Sequence, residues 1–280
     1  MKASGTRRRR RASLAAGVTI LGTLLAIGLA APLLAPHPPD AQDLALRLAP
    51  PGGVHLLGCD DLGRDVLSRL LYGARISLPL AIAVVCLSAG LGTLLGGIAG
   101  LAGGATDAAL MAVADLLLAF PGILLAVAIV AVRGPGLANL VVALAIIGWV
   151  GYARLARGET LRILRESYVE AARAGGAGPV RLLGRHVLPL VARPAAVQAA
   201  LGLGGVVLAE AGLSFLGLGV PPPTATWGGM LRDGAQNLLD SGALAIAPGV
   251  LIALAVLGAQ MLGDGLGAGP EGNEAPRSGG

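Results

Sequence analysis

The chain has 280 residues, 55% of them hydrophobic, 13% charged and 2% aromatic, with a formal net charge of +5. Soluble domains carry roughly 25% charged residues, so a water-solvated globular protein is excluded, and the positive charge sits beside apolar runs rather than in a nucleic-acid-binding patch. Those runs are continuous, not alternating, which excludes a closed β-barrel.

Stretches without a charged side chain cover 12–36, 76–106, 116–132, 134–153, 211–231 and 241–263. A membrane crossing takes about 20 mostly apolar residues. The predicted fold class is therefore an all-α polytopic membrane protein with six spans, at about 13–35, 77–102, 108–132, 136–153, 191–217 and 242–263. Arg7–Arg11 precede the first span in a basic tail, 1–12. The arrangement resembles a signal peptide, but the apolar core is too long and no small-residue cleavage site precedes Pro36. The first span is read as uncleaved.

An outer segment follows over 36–76. Its Asp60, Asp61 and Asp65 lack the ligand number and spacing of an EF-hand. They are expected to cap a short amphipathic helix near 64–73, where acids favour a helix N-terminus. His37 and His55 lie in this segment and His186 far from it, so no shared metal site is expected. Cys59 and Cys86 form no CxxC pair, and no structural disulfide is expected.

In the second span Gly92, Gly96, Gly100 and Gly104 recur every fourth residue and share one helix face. Such a ridge lets another backbone approach closely. Packing inside the subunit is preferred to a subunit–subunit face because glycine is abundant throughout, at 45 residues. The third span holds Asp115 and Pro121, and Asp115 is expected to make a structural hydrogen bond between helices or across a subunit interface. Glu210 lies well inside the fifth span, where gate packing and a role in the translocation path both stand. With the N-terminus inside, fifteen Lys and Arg fall on the inner side and six on the outer. Basic short loops stay cytoplasmic, so both termini and the 154–190 loop are expected inside, followed by a flexible cytoplasmic tail at 265–280.

That loop contains SYVEAARAGGAGPVRLLGRHVLP, residues 167–189. Ser167 and Glu170 match the S-x-x-E capping box, which predicts a short helix starting near Tyr168. Gly175–Gly176 suit its C-cap, and Pro179 suits the first turn of a second helix. On the second helix Val180, Leu183 and Val187 share one face, and Arg181 and Arg185 another. A merely solvated loop needs none of this. A bent helix pair that seats in a groove of another protein needs all of it. Resting on lipid headgroups is the weaker reading, because the first helix is short and alanine-rich and the corner turns one helix out of the membrane plane.

At Glu170-Ala171-Ala172, Gly176 and Leu188-Pro189 the sequence resembles the EAA signature of binding-protein-dependent ABC importer permeases. LLGCDDLGRDVLSRLLYGARISL (56–78), ADLLLAFPGILLA (114–126), LAEAGLSFLGLGVPPPTATWGGML (208–231) and LGDGL (262–266) resemble the dipeptide/oligopeptide/nickel branch, in its second, C-type permease subunit. Gly175 departs from the family's usual bulky apolar residue, Cys59 from its threonine, and the tail after Leu266 from its Asp-Pro-rich ending.

The resemblance implies a type I importer permease fold, with a five-helix core over 77–264, and residence in a bacterial cytoplasmic membrane. It implies as partners a homologous second permease, two ATP-binding subunits and an extracytoplasmic substrate-binding protein, with di- or oligopeptides or nickel as cargo. No cofactor is expected in this chain, and Mg–ATP is expected on the partner subunits. Glu170, Ala171, Ala172, Gly176, Leu188 and Pro189 would couple to the ATPase, and Glu210 and Trp227 would serve the path or its gate.

Consistent with an external energy source, the chain contains no GxxxxGK[ST] P-loop. An ion-coupled secondary transporter is the alternative, but candidates for midplane ionisable groups are few and no inverted repeat is evident. A non-transporting scaffold would explain the docking loop but not the outer segments. Among those, VPPPTATWGGML reads as an ordered cap stiffened by Pro221–Pro223, with Trp227 at an interface.

Overall fold

In lipid every backbone polar group must find its partner within the protein, so apolar runs become helices. The structure, a computed structural model, describes residues 2–267. Helix α1 (Lys2–Leu29) is followed by the single turn α2 (Ala31–Leu34) and an irregular segment with a 3-10 turn at Leu44–Leu46. Helix α3 (Val66–Ala102) leads to the pair α4 (Gly104–Leu118) and α5 (Gly122–Arg133), and then to α6 (Leu137–Ile163). The short α7 (Ser167–Ala174) and α8 (Pro179–Arg181) precede a π-helical stretch, Leu182–Val187. Helices α9 (Leu188–Phe215), α10 (Trp227–Gln236) and α11 (Ala243–Gly267) complete the chain. Among the described residues five segments are long and apolar enough to cross a membrane, and the bent α4–α5 pair makes a sixth when it is counted as one span.

Four boundaries differ from the sequence reading, each for a local reason. The basic tail is not separate, because α1 is already helical from Lys2. The short helix expected near 64–73 is the beginning of α3, which runs unbroken for 37 residues. Asp65 does cap it, accepting the Ser68 N–H at 2.8 Å. The third span is broken: α4 and α5 meet at 87°. Pro121 has no N–H to donate and disfavours the α conformation at Phe120, so the helix stops and restarts. Finally, no break separates the second loop helix from the fifth span: it continues through the π stretch into α9, an unbroken run from Pro179 to Phe215. Of the tail expected at 265–280, residues from 268 onward lie outside the described residues.

Helices α1 and α11 lie antiparallel, with Arg10 Nε donating to the Gly265 carbonyl and Ser13 Oγ to that of Met261, each at 2.9 Å. The described ends of the chain thus share one end of the bundle. The 154–190 segment is at that end too, since Gly267 lies against Val197 near the start of α9.

The glycine ridge of α3 packs inside the subunit. A Cβ on Gly92 would fall on the Trp149 carbonyl, one on Gly96 on the Ala153 carbonyl, and one on Gly100 on Thr160, all on α6. Gly104 is not part of this face, having positive φ at the start of α4 with open space around it. Because backbone rather than a flexible side chain blocks the site, Gly96→Ala is expected to lower unfolding stability by about 1–3 kcal/mol. Chemical unfolding of the detergent-solubilised protein measures it.

Candidate coupling segment, central cavity and outer cap

Helix α7 begins one residue earlier than the capping box requires. Glu166 holds the extended N-cap conformation, Ser167 is already helical, and no side chain caps the helix. The Ser167–Glu170 exchange is therefore absent, and Glu170 is exposed. At the other end the expected corner forms. Gly176 has φ +82°, its N–H donates to the Arg173 carbonyl, and the Ala177 N–H donates to that of Ala172. These two bonds are the Schellman closure.

The apolar side of the second helix also differs from expectation. Val180 is 84% exposed, whereas Leu182 and Val187 are buried. Their five-residue spacing fits the wider π turn rather than the α period, and the Leu188 N–H donates to the Leu183 carbonyl in that register. Leu182, Val187, Val169 and Val191 form one cluster with Ala156 and Ile163 of α6, and Leu101 of α3 packs on it. Gly97 of α3 leaves room for Leu183 and Leu188. The bent pair is thus fastened by its underside to the ends of α3, α6 and α9. Ala171, Gly176 and Pro189 are exposed alongside Glu170, while Ala172 and Leu188 are half-buried.

The same end is strapped by ion pairs between α4 and α6. Arg157 contacts both Asp107 oxygens, at 2.5 and 2.6 Å, and Arg154 contacts Asp115 at 2.5 Å. Asp115 therefore makes the interhelical bond expected of it.

A partly open cavity of about 310 Å³ lies between α3, the beginning of α5, α6 and α9. Its wall is mostly aliphatic, with Ser88, Tyr152 and Gln198 as its polar side chains and no acid or base among the lining residues. The break at Pro121 is what brings Gly122 and Ile123 to this wall.

Glu210 and Trp227 come together, but neither lines the cavity. Glu210 is fully buried and accepts from Ser214 Oγ at 2.8 Å and Ser77 Oγ at 3.4 Å. Ser77 Oγ accepts the Trp227 backbone N–H at 3.2 Å, and the Trp227 indole N–H donates to the Leu70 carbonyl at 3.1 Å. The indole occupies the slot left by Gly73, and Gly228 sits against Ala211 and Ser214. The cluster pins α10 and the 216–226 segment onto α3 and α9.

Beyond it, at the end of α3 away from the coupling segment, lies a polar cap that the sequence did not reveal. Buried Arg64 donates to Asp60 at 2.6 Å, and Arg69 reaches Asp60 at 3.4 Å and Asp40 at 3.7 Å. Arg69 also donates to the carbonyls of Pro39 and Pro223, linking two distant loops. His55 Nδ1 lies 2.9 Å from Asp65 Oδ1 and His37 Nδ1 lies 3.8 Å from it, so two of the three histidines meet at one carboxylate. Burial alone would raise the Asp65 carboxyl, but the Ser68 and His55 hydrogen bonds and the neighbouring His37 imidazole hold it below the usual carboxylate range. Burial, and then the Asp65 and Asp60 charges, push the buried Cys59 thiol up.

These features meet in one comparison. The family described as "Binding-protein-dependent transport system inner membrane component" matches residues 92–267, and "N-terminal TM domain of oligopeptide transport permease C" matches 7–51. The chain belongs to this family of ABC importer permeases, in its dipeptide/oligopeptide/nickel branch. The permease is 42% identical over 261 residues to the glutathione transport system permease protein GsiD of Pectobacterium atrosepticum, covering 92% of this chain and 86% of that one. It is 41% identical over 256 residues to the di/tripeptide transport system permease protein DppC of Pseudomonas aeruginosa, covering 89% and 84%. It is 39% identical over 256 residues to the nickel transport system permease protein NikC of Escherichia coli, covering 91% and 92%. The match over 92–267 covers the coupling segment and every cavity-lining residue except Val85 and Ser88, and the second match covers most of α1 and the beginning of the irregular segment after α2.

Proposed function

We propose that this permease is driven by separate ATP-hydrolysing subunits that grip the 154–190 segment, in a bacterial cytoplasmic membrane with both termini inside. The single observation that carries this is the division of labour within the bent pair. Its apolar underside is locked to α3, α6 and α9, while Glu170, Ala171 and Gly176 are left exposed. A surface fixed below and open above transmits a displacement to the spans instead of absorbing it, and alternating access follows from rigid motion of packed helices. Glu170, freed from any capping role, is available to a partner. Leu188 and Pro189 mark the passage of the segment into α9, and Ala172 belongs to the anchored side.

The homologous second permease, two ATPases and an extracytoplasmic binding protein complete the proposed importer. The cargo class is di- or oligopeptide, supported by the di/tripeptide relative, with nickel as a second reading supported by the nickel relative. The aliphatic cavity wall, with three neutral polar groups, suits a neutral or zwitterionic backbone passing with little retention. The absence of a carboxylate or base from that wall disfavours an ion-coupled mechanism. Glu210 and Trp227 are assigned to positioning the outer gate, not to contacting cargo.

The test places a single reactive cysteine at exposed Ala171, with exposed Cys86 replaced by serine and buried Cys59 left in place. A short bifunctional cross-linker applied to the assembled importer is expected to join Ala171→Cys to an ATPase subunit. Adducts to lipid alone would overturn the proposal.

A further inference from the structure

We propose that His37, His55 and Asp65 form a binding site for one late first-row divalent cation of the zinc type, on the cap at the end opposite the coupling segment. The three side chains come from separate parts of the chain and offer one donor atom each, all within 4.8 Å of one another. Two imidazole nitrogens and a carboxylate oxygen are a donor set that such cations favour. With metal–ligand bonds near 2.0–2.1 Å, tetrahedral coordination separates neighbouring donors by about 3.3 Å. The separations from Asp65 Oδ1, 2.9 Å to His55 Nδ1 and 3.8 Å to His37 Nδ1, bracket that value.

His37 Nδ1 is buried and has no hydrogen-bond partner, although it faces a carboxylate. A plain His55–Asp65 hydrogen bond leaves that nitrogen unexplained, whereas a shared cation satisfies all three groups. The donors are held from behind as well. Asp65 Oδ2 accepts the Ser68 N–H at 2.8 Å, and Ser68 Oγ accepts the His37 N–H at 3.1 Å. The His55 carbonyl accepts the N–H groups of Gly52 and Gly58, each at 2.9 Å. Such backing orients ligands before the metal arrives. The neighbouring arginines do not compete for Asp65: Arg64 is directed to Asp60, and Arg69 to Asp60 and Asp40.

With three protein donors, the fourth position is open to water. The site shares no residue with the central cavity, so the cation acts as a clamp and not as cargo in transit. It ties the end of the first span and the 50–58 loop to the first turn of α3.

The experiment uses the tag-free full chain in nanodiscs, with Zn²⁺ or Co²⁺ alone as the probe. One equivalent of Zn²⁺ is expected after desalting, with a rise in thermal midpoint that a chelator reverses. Co²⁺ is expected to give the intense visible absorption of a four-coordinate site. His37→Ala and His55→Ala are each expected to weaken binding about tenfold or more, and His186→Ala to leave it unchanged. His37→Gln, which keeps a side chain of similar size, serves if the alanine variant does not fold. No stoichiometric binding, binding unaltered in the His37 and His55 variants, or equal loss in His186→Ala would overturn the site.

Discussion

Gly176→Val is expected to abolish most ATP-coupled uptake while the protein still inserts and folds in the membrane. The Schellman corner after α7 requires φ +82° at this residue. A β-branched side chain there costs about 1–3 kcal/mol of local strain. The corner is exposed and a Cβ on Gly176 would meet nothing within 4 Å, so the strain is not compounded by a clash. It falls on the population of the docking-competent bend, which predicts a loss of apparent ATPase affinity of roughly 5- to 150-fold. Gly176→Asn should keep most activity, because asparagine tolerates the left-handed region. Uptake into proteoliposomes carrying the assembled importer, normalised to inserted permease, measures both. Equal activity in the valine and asparagine variants would show that the bend does not matter.

Trp227→Ala should produce the opposite pattern, a destabilised protein whose docking surface survives. The indole is fully buried in the slot at Gly73 and donates to the Leu70 carbonyl, and the backbone of the same residue is tied through Ser77 to Glu210. Truncating a buried Trp costs about 3–5 kcal/mol. The expected readouts are a lower unfolding midpoint in detergent and loosening of α10 from α3. The Ala171→Cys cross-link to the ATPase should persist, since the coupling segment packs on different residues. A variant as stable as the parent would remove Trp227 from the anchoring role.

The two predictions rest on features that were unequally visible in the chain. The number of spans and the glycine corner were legible because hydropathy and positive φ are local properties. The packing of Gly92, Gly96 and Gly100 on α6 was legible as a face but not as to its partner, which only tertiary structure supplies. Pro121 was visible, but a proline with a long apolar run on both sides can kink a helix or end it, and here it ends it. The capping box failed by one residue. Motif spacing does not say which residue takes the extended conformation, and Glu166 took it. The loss of Val180 from the buried face had no sequence signal, because the π register changes the period from within. Arg64, Arg69 and the His37–His55–Asp65 group depend on loops folding back over α3. His37 and His55 are separated by an irregular segment with no periodicity to read, so nothing in the sequence placed them side by side.

The unbroken helix from Pro179 to Phe215 has a mechanical consequence. At 1.5 Å per residue, its 37 residues extend about 55 Å, well beyond the roughly 30 Å hydrocarbon layer. One end begins beside the exposed Gly176 corner, and the other carries Glu210 and Ser214, against which the far plug is wedged. A single helical rod therefore joins the end that carries the candidate coupling segment to the end that carries the polar cap, with a short π section near its base and Pro194 in its interior. Under the proposed coupling, a displacement applied at its base is expected to reach the far end through one continuous helix.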